Sequence, residues 1–425
     1  MTQTNPECYH LSASCIKSFK ACPTRFRLAY REGIRRKDDT DALRIGTNWH
    51  ALHEVYHNAI EGYSHPDFTD ADREAWDFPH DYAMNAVMDH LNEAYSQRSP
   101  TKTPDEWDLE RQQLLTGFIG YLWYFQEDTI EYLHQEYAFD LQVTEPKSGM
   151  PLPFDKVKRV GKIDHIVMWN GVVGPIERKS TTRGIGDSDD YWIDKQKDTQ
   201  VSMYALAFRD GIRHKWLPEE LMAKVGKATR AGNTIYDVWR RPLTKPKKLT
   251  QGDTKTFVED GKYFGQDFIV RVADDEAETR VEVDDVPAEV HMGAEKKQTK
   301  KQEEEGITPD QPFAIRETVD MYAARLMADI VEEPSKYYVR KEIARTDRDL
   351  DRFQVELFNI YQSQKMMNDA GVWFENEQQC RATFPCEFIP ICYGQGSDAV
   401  CDGKTTPDGF KRIFVDLNID LEGAE

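Results

Sequence analysis

Three short stretches carry residue types that hydrolysis of a phosphodiester uses: Gly161-Lys-Ile-Asp164, Ile176-Glu177-Arg-Lys179 and Gln200-Val-Ser-Met-Tyr204. Two carboxylates can hold a hard divalent cation through oxygen, and that cation activates water and offsets phosphate charge. A neighbouring lysine can steer or deprotonate the water, or stabilise charge in the transition state. On this reading Asp164 and Glu177 hold Mg2+ or Mn2+, the carbonyl of Arg178 completes the set, and Lys179 is the catalytic cation. Gln200 and Tyr204 lie four apart on a helical stretch, so they share one face and support the site. His50, following Gly46-Thr, is a further metal candidate, and imidazole among oxygen donors suits Mn2+ better than Mg2+. His53 and His57 fall near its face, which leaves a zinc site on three rings as an alternative. The acids sit inside apolar runs, Ile-Val-Met-Trp and Val-Val-Gly-Pro-Ile, where charge is costly unless it works or is paired.

The elements that must position these groups follow from periodicity. Tyr137 to Val143 alternates apolar and polar residues as a half-buried strand does. Arg159–Trp169 and Val172–Lys179 read as two more strands joined at a hairpin turn through Asn170-Gly171. Glu177 and Lys179, two apart, then face one side of their strand, and a partner strand brings Asp164 beside them. A helix from about Ile193 to Arg209 and a strand from Thr234 to Trp239 complete a β-β-β-α-β order. The predicted fold class is α/β, a mixed sheet flanked by helices.

Upstream, residues 12–32 read as helical with a cap at Ser12 or Ser14, and Pro23 opens a second helix. Further helices are expected over 41–61 and about 105–135, with helix and Pro-bounded loops between. Four regions result: a helical N-terminal region (1–135) carrying Cys22 and His50, a core (136–249), a charged insertion (250–311) and a helical C-terminal region (312–425). The run EKKQTKKQEEE makes the insertion read as flexible, a solvated helix being the alternative. Helical patterns return over 315–332 and 347–369, separated by Lys336-Tyr-Tyr-Val-Arg340.

Composition bounds the function. The chain has 425 residues and a net charge of −20, which argues against a surface coated with cations for duplex binding. A local basic groove remains compatible with that total. No apolar run nears eighteen residues and the first residues lack a signal-peptide pattern, so the expected setting is cytoplasmic, without a membrane. Seven cysteines there are thiols or metal ligands rather than disulfides. No P-loop pattern occurs, so the chain carries no recognisable ATP motor, and a helicase or recombination partner would act in trans.

The ordered set Gly46-Thr-x-x-His50, Gly161-x-x-Asp164, Glu177-x-Lys179 and Gln200-x-x-x-Tyr204 resembles the RecB-family branch of the PD-(D/E)XK nucleases. Ser12-x-Ser14-x-Ile16, with Phe19, Cys22-Pro23, Phe26, Leu28 and Tyr30, also looks like this branch. The likeness covers about 12–210 and returns at the C-terminal cysteines. It implies a restriction-endonuclease-like core and a metal-dependent DNA exonuclease, with metal on His50, Asp164 and Glu177, and Lys179 catalytic. Single strands or DNA ends are the implied substrate, in recombination, repair or processing. Cys380, Cys386 and Cys392, with distant Cys22, resemble the [4Fe–4S] ligands of AddB-type and CRISPR-associated nucleases of the branch. Zinc on the same four thiolates is the rival, and Cys8, Cys15 and Cys401 stand aside, with Cys15 as an alternative to Cys22.

Candidate phosphate contacts are Arg178, Arg183, Arg240, Arg241, Lys245, Lys247 and Lys248. Tyr337, Tyr338 and Arg340 mix rings and charge as single-strand grooves do. Two readings compete with the nuclease: a non-cleaving DNA-end binding or recombination accessory factor on the same fold, and a zinc-stabilised interaction scaffold.

Overall fold

The computed structural model describes residues 8–37, 40–65, 78–275, 278–294, 311–382, 384–401 and 404–413. Its centre is a mixed sheet built from β1 (Tyr9–Leu11), β2 (Glu131–Gln142), β3 (Val157–Trp169), β4 (Val172–Thr181), β5 (Thr234–Arg240) and β6 (Tyr338–Ile343). The order is β1-β3-β4-β5-β6, with β2 along the other edge of β3 and a short pairing of Arg230–Ala231 on β4. The β3–β4 hairpin turns through Asn170 and Gly171, both at positive φ, as a tight hairpin turn requires. β4 and β5 run parallel, which needs the intervening helical crossover.

The sheet forks beside Asp164 and Glu177. One edge of β3 is taken by β1 over Val157–Arg159 and by β4 over His165–Trp169. Residues 160–164 lie between these two pairings, so β4 peels away from β3 just beyond the His165–Ile176 pair. On the opposite edge β2 pairs with β3 throughout, and there Phe139 lies directly across from Gly161. A Cβ at Gly161 would sit 2.3 Å from the Phe139 ring, so the aromatic ring fills the place of the missing side chain.

Helices cover both faces. α1 (Ala13–Ala21), α2 (Asp41–Ser64), α3 (Pro79–Ala94) and α4 (Pro104–Tyr124) precede the long strands. α5 (Thr199–His214) is the crossover helix, and α6 (Val319–Glu332) and α7 (Asp347–Ala370) follow the sheet. One face packs α5 and α7 against Phe139, Ile163 and Val173. The other packs α2, α4 and α6 against Trp239 and Tyr338. Trp49 of α2 stacks on Trp239 at 4.2 Å, and Gly117 lets α4 approach that indole, which a Cβ there would meet at 2.5 Å. Glu110, 4 % exposed, accepts both prongs of the Arg44 guanidinium at 2.7 and 2.8 Å and the Tyr95 hydroxyl at 2.8 Å. This buried cluster ties the start of α2 to α4.

Several expectations change. The predicted helix over 105–135 ends at Tyr124, and strand β2 begins at Glu131, six residues before its apolar–polar alternation becomes regular. β1 and β6 were not foreseen as strands; both are short and lie at the ends of the strand order. Residues 251–292 carry ordered elements rather than a structureless insertion: a helix, Gln251–Asp260, and an antiparallel meander over Val270–Asp275, Glu278–Val283 and Val286–Ala288. Leu249, Phe257, Val281, Val283, Ile315 and Met321 form its own apolar core. Buried Glu317 pins it, accepting from Tyr263 at 2.7 Å, from the Lys247 N–H at 2.8 Å and from Arg325 at 2.5 and 2.8 Å. The run EKKQTKKQEEE (295–305) lies outside the described residues. Among the described residues no helix is long and apolar enough to cross a membrane.

Candidate active site at the fork of the sheet

The register explains why Asp164 and Glu177 meet. His165 pairs with Ile176, so Asp164 and Glu177 are the next positions on facing strands, where the strands diverge. Alternation puts them, and Lys179 two residues further, on one face. Glu177 is 2 % exposed, because β5 covers its other side with Tyr236 opposite. Its carboxylate is held at both oxygens: Lys179 Nζ lies 2.6 Å from Oε1, and the Gln200 amide donates to Oε2 at 3.1 Å. The same Gln200 amide reaches the Tyr204 hydroxyl at 3.2 Å, which donates to the Lys162 carbonyl at 2.8 Å. Thus α5 is tied to β4 through Gln200 and to the open stretch of β3 through Tyr204.

α5 starts where it does because Asp198 caps it, accepting from the N–H groups of Gln200 and Val201 at 2.8 and 3.3 Å. Lys17 of α1 lies 3.3 Å from the same carboxylate. The cap fixes the first turn, and that turn aims Gln200 at Glu177.

His50 arrives from the other side. The Trp49 stack anchors α2, and His50 Nδ1 lies 3.2 Å from Asp164 Oδ2, the ring nitrogen donating because a carboxylate only accepts. Burial disfavours the charged Asp164 carboxylate, yet the His50 hydrogen bond and the charges of His50, Arg178 and Lys179 outweigh it and hold the carboxyl down at about 2. The acid is therefore ionised over the whole working range of pH.

The other two histidines of α2 belong to the interior. Burial drives His53 well below the ordinary imidazole value, and its ring packs edge-on to Trp49, Phe118 and Tyr121. His57 is lowered to about 3, first by burial and then by Arg178, and lies over Tyr132 at 4.1 Å. Both rings are neutral packing groups, and the three-histidine zinc alternative is not assembled among the described residues.

Arg178, between the acid and the lysine, points to the opposite face. Its guanidinium is 2 % exposed, donates to the Tyr132 hydroxyl at 2.6 Å and lies 3.4 Å from His165. It is a buried clamp across β2, β3 and β4, so its side chain is removed from the candidate phosphate contacts. Tyr337 and Tyr338 are also withdrawn from that role: they are 3 % and 1 % exposed and pack in the core. Arg340 lies 2.9 Å from Asp237 and also pairs with Asp128. Arg183 is exposed and paired with Asp194 at 2.6 Å, Arg241 is half-buried, and Lys245, Lys247 and Lys248 are exposed on the connection to the inserted elements.

Sequence reasoning missed Tyr132, His165 and Asp198. Tyr132 lay in a stretch read as the tail of a helix. His165 follows Asp164 and so faces away from it along the strand, which alternation could have exposed. Asp198 carried a readable signal, an acid just ahead of an apolar-periodic helix.

Two metal assignments can be tested against the residues. Among the described residues no group of three or more His, Cys, Asp or Glu side chains converges to hold a metal ion. For a hard cation at the fork that is compatible chemistry, because Mg2+ is usually bound by one or two carboxylates, with water and substrate phosphate supplying the rest. Four-thiolate ligation is more demanding, and the cysteines do not close into such a group. They are nonetheless neighbours: the Cys392 thiol is pushed up to about 12 by burial, then by Glu375, Cys386, Cys22 and Cys380. Asn376 bridges the two ends of the chain, its N–H reaching Cys22 Sγ at 3.4 Å and its carbonyl facing Cys380 Sγ at 3.9 Å.

The family model of the PD-(D/E)XK nuclease superfamily matches residues 10–393. The chain belongs to this superfamily, and its central mixed sheet flanked by helices is the corresponding architecture. Comparison with curated proteins returns no match.

Proposed function

We propose that this chain is a metal-dependent deoxyribonuclease, an exonuclease of RecB type that acts on single-stranded DNA or DNA ends in recombination, repair or processing. The observation that carries the reading is the fork, where two acids on diverging strands share a face with a lysine held 2.6 Å from one of them. A non-cleaving DNA-end binder has no use for a desolvated carboxylate facing phosphate, because that charge repels its ligand.

Asp164, Glu177, the Arg178 carbonyl and His50 are the groups that would hold Mg2+ or Mn2+. When bound, the divalent cation lowers the pKa of water and offsets phosphate charge. The chain's own residues do the rest. Lys179 brings an ammonium to the fork, where it orients the attacking water and stabilises developing negative charge. Gln200 fixes the Glu177 carboxylate so that one oxygen remains turned toward Lys179. Tyr204 holds the Lys162 carbonyl and with it the stretch of β3 between its β1 and β4 pairings, which ends in Asp164. His50 keeps Asp164 ionised.

Asp164→Ala, Lys179→Ala and the shape-conserving Glu177→Gln are each expected to abolish cleavage of labelled single-stranded DNA with Mn2+ while the thermal melt stays cooperative. Cutting retained in all three would sink the assignment. We further infer that Cys22, Cys380, Cys386 and Cys392 hold a structural [4Fe–4S] cluster joining chain end to chain start, supported by Asn376, which touches both Cys22 Sγ and Cys380 Sγ, and by the nearness of Cys386, Cys22 and Cys380 to Cys392. Protein purified without oxygen should then be brown and contain iron. Colourless protein with stoichiometric zinc assigns the site to zinc instead.

A further inference from the structure

We propose that Arg240 forms a seat for one additional phosphate of the nucleic-acid strand, in a groove that continues the active-site face of the sheet. This rests on the nuclease reading and adds to it where the substrate backbone runs. In the parallel pair β4–β5 the register partners are Glu177–Tyr236, Lys179–Val238 and Thr181–Arg240. Partners in register share a face, so Arg240 stands on the face of Glu177 and Lys179, about 7 Å beyond Lys179 along the strands. Ile185 packs over Tyr236 and Val238 on that same face, which places the loop after β4 beside the row.

A groove of about 620 Å3 opens here, between the Gly184–Gly186 loop and the turn Glu332–Lys336, with Arg240 in its wall. It lies beyond the carboxyl ends of two parallel strands, where open α/β sheets commonly bind ligands. Arg240 differs from the carboxylate-paired guanidinium groups of the core. Arg159, Arg340 and Arg44 each have a carboxylate within 3 Å, whereas no carboxylate pairs with Arg240 among the described residues. Its Nε is shut off from water and has no hydrogen-bond partner there. A guanidinium so placed is a fork of donors awaiting an oxyanion.

The rest of the wall limits the seat to one phosphate. Lys336 adds a second cation but already lies 3.1 Å from Asp329 and 3.6 Å from Glu333. Asp189 is turned inward, accepting the Gly186 N–H at 2.6 Å. Glu332 and Glu333 also line the groove and repel a following phosphate, so the strand turns away after this contact.

The test is fluorescence anisotropy of a labelled single-stranded oligothymidine against the full chain and its Arg240→Ala, Arg240→Gln and Arg240→Lys variants over a series of salt concentrations. Loss of one charge-assisted contact should weaken binding roughly tenfold or more. It should also flatten the slope of log affinity against log salt by about 0.7. Lysine should restore the slope but only part of the affinity, since it lacks the planar fork. Arg240→Gln keeps the stem of the side chain and separates lost charge from lost packing. Unchanged affinity and slope in Arg240→Gln, with the parent binding and cutting DNA, overturn the phosphate seat and leave the nuclease reading intact. A parent that binds but does not cut, with the slope still flattened in the variants, keeps the seat and overturns the nuclease reading. A parent that neither binds nor cuts overturns both.

Discussion

Replacing Gln200 with alanine removes the amide that donates to Glu177 Oε2 at 3.1 Å and to the Tyr204 hydroxyl at 3.2 Å. Both ends are closed to water, Gln200 being 3 % and Glu177 2 % exposed. A hydrogen bond to a charged group in such surroundings contributes about 1.5–3 kcal/mol. That corresponds to roughly 10- to 150-fold in a rate or equilibrium constant. Lys179 still holds Oε1, so the carboxylate keeps this ion pair but loses the contact that fixes its plane. The expected result is a fall in kcat/KM within that range and a higher Mn2+ concentration for half-maximal activity, measured on labelled single-stranded DNA. Gln200→Glu sharpens the test, because it sets a second carboxylate against a buried first one. Like charge and burial both raise the pair's apparent pKa, so a proton stays on it at neutral pH. A pair that keeps its proton holds a cation poorly, and activity should return as pH rises. Unchanged kcat/KM and metal midpoint in Gln200→Ala, with only the thermal melt altered, would reduce Gln200 to packing and refute the reasoning.

Asp164 gives a pH dependence of stability through a shift in the other direction, a lowered rather than a raised pKa. Burial works against its charge, but the His50 hydrogen bond and nearby cations hold the folded-state value at about 2, below the ordinary 3.8. Its contribution to stability is therefore complete above the ordinary aspartate range and is lost as pH falls toward 2. In His50→Ala the acid-unfolding midpoint, followed by circular dichroism, should move to higher pH; a midpoint that stays in place removes the coupling. Gly161→Ala drives a Cβ into the Phe139 ring, a clash at 2.3 Å, and overpacking of this kind costs about 1–3 kcal/mol. Phe139→Leu in the same chain should recover part of the loss, and an unaltered melting temperature in Gly161→Ala would contradict the packing account.

How much was legible divides along physical lines. β3 and β4 were readable because each is long, apolar and joined by Asn170-Gly171, a turn whose backbone demands are local. α5 was readable from its apolar period, and with it the pairing of Gln200 and Tyr204 on one face, although it starts at Thr199 rather than about Ile193, which lies in a separate short helix, Asp190–Lys195. The helix-to-strand change at Tyr124–Glu131 was not, because Glu131 to Glu136 has no clean alternation and gains its strand state from β3 alongside. Tyr337 and Tyr338 show the same limit. Two aromatics beside an arginine are equally suited to a base-stacking groove and to a core. Their burial follows from pairing β6 with β5 across a gap of about a hundred residues. The inserted elements were not legible because blocks of charge masked the valines at 270, 281 and 283, which share an inner face.

The chain alone determined which groups are available and how they are spaced: an acid, an acid-x-lysine, a glutamine–tyrosine pair and a histidine after Gly-Thr. Those are properties of local periodicity, and local periodicity is written in adjacent residues. Tertiary structure decided what the groups do to one another. The sheet had to split beyond the His165–Ile176 pair before Asp164 and Glu177 could face a common space. Arg178, flanked by two site residues, was sent by the alternation of the same strand into the interior. Arg240, distant in sequence, was brought to the face of Glu177 and Lys179 by the register of parallel strands. Register joins residues far apart in the chain through backbone hydrogen bonds that depend little on side-chain identity, and for that reason no single stretch of sequence encodes it.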